Sequence, residues 1–198
     1  MPNPNHPKKG CSITVDPIRA VKDIKAIIAL LEKSPRDRLL FVMGVNNGLR
    51  CGDLLRLKVK DVKNLKMGQM ISIKESKTGK TNILAVNKTV YKHLRGHLEH
   101  YQMDDDDPLF CSRKAEKKAI TIETVNSLVK KWTREINLSG NYGAHSLRKT
   151  WGYIQRVEHG VGFEILCKRF NHSSPAVTMR YLGIQDKEVH STLMNEIG

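Results

Sequence analysis

Met70-Ile71-Ser72-Ile73-Lys74 and Ile83-Leu84-Ala85-Val86 flank the turn-rich Ser76-Lys77-Thr78-Gly79-Lys80, and here the periodicity of the chain changes. Two short β-prone runs around a glycine-containing turn predict a β-hairpin with a cationic tip. On both sides of it the apolar residues recur at helical spacing. The fold class is therefore mainly α (α+β), a mixed helical domain with one small hairpin.

Upstream, Asp16-Pro17 supplies a cap and a first-turn proline, and Ile18, Val21, Ile24, Ile27, Ile28 and Leu31 predict an amphipathic helix to about Lys33. Ser34-Pro35 repeats the start signal for a second helix with Leu39, Leu40, Val42, Met43 and Val45, more apolar all round and so more buried. Asn46-Asn47-Gly48 ends it, and Asp53 is a candidate cap before Leu54, Leu55 and Leu57. The first seven residues hold three prolines and no apolar signal-peptide core. Residues 1–12 thus read as a flexible leader or linker remnant, and 13–198 as one folded domain.

Downstream, residues 88–102 return to a helix with Val90, Tyr91, Leu94 and Leu98 inward. Asp104 to Asp107, before Pro108-Leu109-Phe110, form a solvated loop, because the run lacks the glycine and distal glutamate of a calcium loop. After the basic loop Ser112 to Lys118, Thr121 and Glu123-Thr124 open a helix carrying Val125, Leu128, Val129 and Trp132. Another begins at His145-Ser146-Leu147-Arg148 and runs to His159-Gly160, a short one spans Gly162 to Phe170, and Pro175 starts the next. Asp186 to Ile197 is a final amphipathic piece.

Lysine and arginine total 34 against 20 acidic residues, a formal charge of +14. Such an excess points to a polyanionic partner, nucleic acid before an anionic membrane surface. No apolar run reaches the roughly 20 residues needed to span a bilayer. Cys11, Cys51, Cys111 and Cys167 are widely spaced, with no CxxC pair and no Cys/His cluster of zinc spacing. They read as reduced thiols of a cytosolic protein, with no metal or cofactor expected.

The polar residues with chemical potential lie far apart in the chain. Arg50 sits at the junction between an apolar helix and a new helix start, where a guanidinium joins free backbone N–H groups in a way suited to phosphate; the alternative is an ion pair with Asp53. His145 and Arg148, three apart, share a helix face. Lys77 is either a functional cation at the hairpin tip or one of several solvated lysines with Lys74 and Lys80. In Asn171-His172-Ser173-Ser174-Pro175-Ala176-Val177-Thr178-Met179-Arg180-Tyr181-Leu182 a histidine precedes, by nine residues, a tyrosine that is either a core aromatic or a nucleophile.

In order, Gly48-Leu49-Arg50 with Asp53-Leu54-Leu55, Lys77-Thr78-Gly79-Lys80, Ala144-His145-Ser146-Leu147-Arg148-Lys149-Thr150, Asn171-His172-Ser173-Ser174 and Thr178-Met179-Arg180-Tyr181-Leu182-Gly183 resemble the catalytic domain of the tyrosine recombinases, or phage integrase family. The resemblance runs from about residue 13 to the end. It implies that Tyr181 attacks a scissile DNA phosphate to give a 3′-phosphotyrosine, that Arg50 and Arg148 clamp the nonbridging oxygens, and that Lys77 protonates the leaving 5′-oxygen. His145 would help move the tyrosine proton and His172 would hold a phosphate oxygen. A covalent intermediate conserves the bond energy, consistent with the absence of a nucleotide-binding motif.

The same resemblance implies double-stranded DNA as partner, a homotetramer on DNA, accessory DNA-bending proteins and a cytoplasmic, DNA-associated location. Asn171 stands where the family most often has glycine, Asp53 replaces a more usual glutamate, and the family's N-terminal core-binding domain has no counterpart in the short leader. Lys58, Lys60, Lys63, Lys66, Arg113, Lys114, Lys117, Lys118, Lys130 and Lys131 are expected as a group to make backbone contacts to DNA. Val189, Leu193 and Ile197 form an apolar stripe that packs either on a neighbouring subunit or in cis. Competing functions are a type IB topoisomerase with the same catalytic set, a non-catalytic DNA-binding relative, and, least supported by the motifs, an RNA-binding protein.

Overall fold

The structure, a computed structural model, describes residues 14–112, 117–184 and 191–197. In chain order it contains α1 (Val21–Leu30), α2 (Pro35–Asn47), α3 (Cys51–Leu55), α4 (Val59–Val62), β1 (Met70–Lys74), β2 (Thr81–Ala85), α5 (Lys88–His100), α6 (Ile122–Glu135), α7 (Ala144–Val157), α8 (Phe163–Phe170) and α9 (Pro175–Leu182), with a 3-10 turn at Ser191–Met194. The mainly helical class with one hairpin is what the sequence predicts. β1 and β2 pair antiparallel, from Met70 opposite Ala85 to Lys74 opposite Thr81.

Two helix starts differ from expectation, each because a polar side chain has another partner. The first helix starts at Val21 after Ala20, since Asp16 is paired with Asn141: the Asp16 N–H donates to the Asn141 carbonyl (2.7 Å) and its carboxylate accepts from the Asn141 N–H (2.9 Å). Ile18 is fully buried in this extended lead-in, and its N–H donates to Thr150 Oγ1 (2.8 Å). Asp53 is no cap, because α3 begins at Cys51 and the Asp53 carboxylate accepts from both N–H and Oγ of Ser76. The helix expected to reach residue 102 stops at His100, where Tyr101 turns extended, and the one expected to reach His159 stops at Val157.

One large core lies between α2, α5, α6, α7 and the hairpin, with Leu39, Leu40, Phe41, Val42 and Met43 of α2 at its centre. A second, small cluster of Leu166, Phe170 and Leu182 joins α8 to α9, with Trp151, Val161, Phe163, Tyr181 and Ile184 packed around it. Gly48 ends α2 in the left-handed region (φ 58°), where a side chain would also meet the Trp151 ring. α7 crosses the small cluster at Gly152, whose missing Cβ would lie 2.5 Å from Phe170.

The acidic loop is solvated as expected, and it is also neutralised. Lys58 and Lys60 pair with Asp106, Lys63 with Asp105, and Lys117 with Asp104. Four of the lysines expected to meet DNA are thus engaged by carboxylates, in exposed pairs of the weak, salt-screened kind. Arg113 and Lys114, the 1–12 leader and Val189 of the tail stripe lie outside the described residues. Leu193 and Ile197 are 79% and 100% exposed, so neither is packed in cis. Among the described residues the cysteines are unbridged, no group of side chains has metal-ligand geometry, and no helix is long and apolar enough to cross a membrane.

Candidate active site

Five different chain segments deliver the predicted residues. Arg50 is the residue before α3, placed by the sharp reversal at Gly48. Lys77 is exposed on the hairpin turn, His145 and Arg148 stand on the first turns of α7, His172 lies in the α8–α9 connection, and Tyr181 is in the last turn of α9. Electrostatically they form one group. The Arg50 charge acts on His145, Arg148, His172 and Tyr181, and the Lys77 charge reaches His145.

Arg148 is the buried centre of this group. Its Nη1 donates to the Gly48 carbonyl (2.7 Å) and its Nη2 to the Phe170 carbonyl (2.9 Å), while its guanidinium lies 4.7 Å from the Phe170 ring centre. Two carbonyls and an aromatic face thus hold a cation that burial alone disfavours; burial lowers its pKa, and the nearby tyrosine opposes that. The Tyr181 ring packs edge-on to Phe170 and His172, with centroids 5.3 and 5.0 Å apart. Burial raises the Tyr181 pKa, against the charge and hydrogen bond of Arg148 and the charge of Arg50, which favour the phenolate.

The two histidines differ in exposure and in hydrogen bonding. His172 Nδ1 is paired with Thr178 Oγ1 (3.0 Å), which fixes the ring and leaves Nε2 for a ligand. Asn171, just before it, is the left-handed C-cap of α8 (φ 56°), a conformation asparagine tolerates better than other residues with a Cβ, so the replacement of the usual glycine is accommodated. His145 is exposed and lines, with Lys149 and Tyr181, an open groove of about 590 Å³. Its pKa lies below the usual histidine value, first through desolvation and then through Arg148, Lys77, Arg50 and Lys149, so the neutral, proton-accepting form is favoured at neutral pH.

Four further residues at the site are ones to which the sequence assigns no role. Glu75 is the partner of Arg50 (2.5 Å), in place of the expected alternative, Asp53. Asn82 and Arg169 extend that pair toward α8, and Lys149 places its buried ammonium 4.9 Å from the Tyr181 ring centre. An acidic residue two positions before Lys77 in an otherwise cationic turn was the one available signal for Glu75. Arg169 and Lys149 look like ordinary basic residues of amphipathic helices.

The chain matches the family model of the phage integrase family over residues 20–188. It is 33% identical over 175 residues to the probable integrase/recombinase YoeC of Bacillus subtilis, covering 87% of this chain and 91% of that protein. It is 26% identical to the tyrosine recombinase XerA of Pyrococcus horikoshii, covering 98% of this chain and 64% of XerA. Among solved structures, a crystal structure of XerA recombinase superposes with a TM-score of 0.72 at 18% identity, over 92% of this chain and 67% of that one. XerH site-specific recombinase bound to palindromic difH substrate, in a post-cleavage complex, gives 0.71 at 21% identity, over 92% and 53%. These two likenesses are of fold.

Proposed function

Because this chain belongs to the phage integrase family and is built as a tyrosine recombinase, a DNA-cleaving and rejoining enzyme, we propose that Tyr181 is its nucleophile and that Arg50, Lys77, His145, Arg148 and His172 complete its catalytic set. The Tyr181 oxygen attacks a backbone phosphorus, the bond to the 5′-oxygen breaks, and the strand is held as a 3′-phosphotyrosine. Lys77 gives a proton to the departing 5′-oxygen, and neutral His145 accepts the tyrosine proton. Arg50, Arg148 and His172 Nε2 hold the nonbridging oxygens, where negative charge accumulates. A 5′-hydroxyl from another strand reverses the step, so no metal or nucleotide cofactor is needed.

The observation that carries this reading is the placement of Tyr181 against Arg148: the same guanidinium that would bind the phosphate stabilises the phenolate that must attack it. Double-stranded DNA is the partner we infer, from the +14 charge and from the difH complex of XerH. Relatives named recombinases favour site-specific strand exchange over relaxation of supercoils. A tetramer on DNA, aided by DNA-bending proteins and located with the cytoplasmic DNA, fits the reading. The exposed Leu193, Met194 and Ile197 are suited to docking on a neighbouring protomer. The catalytic role is tested with a library of nicked duplexes of random central sequence, from which covalent adducts are isolated on denaturing gels and sequenced. Wild type should capture DNA, and Tyr181→Phe should capture none while still shifting the recovered duplex; an adduct formed by Tyr181→Phe overturns the assignment.

A further inference from the structure

Glu75 is 1% exposed and sits between two of the proposed catalytic cations without belonging to the set. Its carboxylate is paired with Arg50 Nη1 and accepts from Thr78 Oγ1 (2.5 Å) and Asn82 Nδ2 (2.7 Å). Its backbone closes the turn that bears Lys77: the Gly79 N–H donates to the Glu75 carbonyl and the Glu75 N–H to the Lys80 carbonyl, both at 2.9 Å. Asp53 holds the same turn from α3 through Ser76. Asn82 passes the connection on, because its Oδ1 accepts from Arg169 Nη1, while Arg169 Nη2 donates to the carbonyls of Asn47 and Ile83. Arg169 lies in α8, three residues before His172. A continuous polar chain, Arg50–Glu75–Asn82–Arg169, therefore joins the hairpin to the helices that carry His172 and Tyr181.

We propose that Glu75 is a positioning residue for DNA strand cleavage, fixing Arg50 against the hairpin turn that carries Lys77 and, through Asn82 and Arg169, against the α8–α9 unit. The inference rests on the strand-cleavage reading given above. Burial pushes the Glu75 carboxyl up, but the donors Thr78, Asn82 and Arg50 more than offset this and hold it at about 2. It is therefore a carboxylate throughout the neutral range and has no proton to exchange, so its contribution is geometric and electrostatic. A buried carboxylate with one cation and two neutral donors is costly to displace, and that makes it a stiff reference for the guanidinium. The ion pair to Glu75 is made through Nη1, which would leave the other nitrogens of the Arg50 fork for a phosphate.

The test uses duplexes recovered from the adduct selection, in single-turnover cleavage, with either the normal 5′-oxygen or a bridging 5′-sulfur at the scissile phosphate. A thiolate leaves without protonation, so sulfur restores a lost proton donor and leaves a lost oxyanion clamp unrepaired. Glu75→Gln keeps an acceptor for Asn82 and loses the ion pair to Arg50. Its rate should fall about 100-fold, the scale of a small misplacement of a catalytic group, and equally on both substrates. Lys77→Ala should be rescued by sulfur, and Glu75→Ala, which also frees Thr78 and Asn82, only in part. Duplex affinity of Glu75→Gln should stay near wild type, and cleavage is compared below the melting temperature of the variant, which loss of the buried ion pair lowers. A Glu75→Gln rate equal to wild type, a loss fully rescued by sulfur, or a loss matched by unfolded protein each overturns the proposal. If wild type forms no adduct, or Tyr181→Phe does, the strand-cleavage reading itself fails, a result distinct from those three.

Discussion

Arg50 and Tyr181 meet at one site but stand on very different foundations. Arg50 leaves the end of α2, whose residues Leu39 to Met43 are fully buried in the large core. Tyr181 stands on α9, whose apolar support is the small cluster of Leu166, Phe170 and Leu182, and the shell around those three includes Trp151 and Tyr181 itself. The proposed phosphate clamp is thus built on a body independent of the site, whereas the proposed nucleophile is carried largely by the site itself. Arg148 spans the two, with one nitrogen on the Gly48 carbonyl and another on that of Phe170. On the proposed roles, placement of the nucleophile would respond to whatever packs on α8 and α9, while phosphate binding would be insulated.

The largest effect should come from removing the ring that unites the small cluster. Phe170 touches Trp151, His172 and Tyr181 and underlies Arg148. Phe170→Ala should cost about 3–5 kcal/mol, and it should raise amide exchange across 163–184 while α2 stays protected. Leu40→Ala, of similar size at about 2–5 kcal/mol, should instead raise exchange across the whole protein. Uniform loss in both variants would break the contrast.

Acid should act on the large core. His97 is buried in α5 with Nε2 bonded to the Leu109 carbonyl (2.9 Å), and desolvation holds its pKa at about 4, against the usual 6.5. The unfolded chain therefore binds the extra proton first. Stability from this group is complete above about 6.5 and is lost progressively as pH falls to about 4, by about 3 kcal/mol at most. Urea unfolding from pH 7 to pH 4 should show that slope, and His97→Gln, which keeps a donor for Leu109, should show a shallower one between 6.5 and 4.5, what remains coming from His93, His145 and His172, whose pKa values burial also lowers. Glu75, at about 2 in the folded protein against 4.5, adds its own loss only below 4.5. A slope unchanged in His97→Gln would place the sensitivity outside the core. Between these and the smallest effect comes Gly152→Ala, which puts a methyl 2.5 Å from Phe170 and 2.8 Å from Leu182. We expect a cost of about 1–3 kcal/mol, read as a lower melting temperature and slower adduct formation.

Much of the large core was legible in the sequence because its signals are local and periodic: the α2 apolar run, the β-prone runs and the Pro35 and Pro175 helix starts all reappear at or near their predicted places. The six polar residues were legible through separated motifs, and the fold brings them within electrostatic reach of one another. The polar chain behind them was not. Asn82, bonded to Glu75, is matched to Arg169 across 87 positions by tertiary geometry, and no periodicity encodes such a match. The same cause misled the reading of Asp16 and Asp53, whose side chains suit helix caps locally but are claimed by Asn141 and Ser76 from distant parts of the chain.

The smallest expected change is at Asn171, and it separates stability from positioning within the weaker region. Asn171 holds φ 56° and ψ 39° at the end of α8, and its N–H donates to the Lys168 carbonyl. Asn171→Gly should be nearly neutral, because glycine adopts this conformation without steric cost and forgoes only the entropy of a more flexible chain. Asn171→Ala should cost about 1 kcal/mol, since alanine pays the Cβ clash and has no side chain to bond locally. The next residue is His172, whose ring is hydrogen-bonded to Thr178 and packed on Phe170 and Tyr181, and relief of that clash would rotate the joint carrying it. On a scaffold with three buried apolar residues, small strain should appear as displacement, so Asn171→Ala should slow adduct formation while melting only slightly earlier, and Asn171→Gly should restore the rate. An alanine variant that loses stability at unchanged rate would mean that α8 and α9 hold His172 as firmly as the large core holds Arg50.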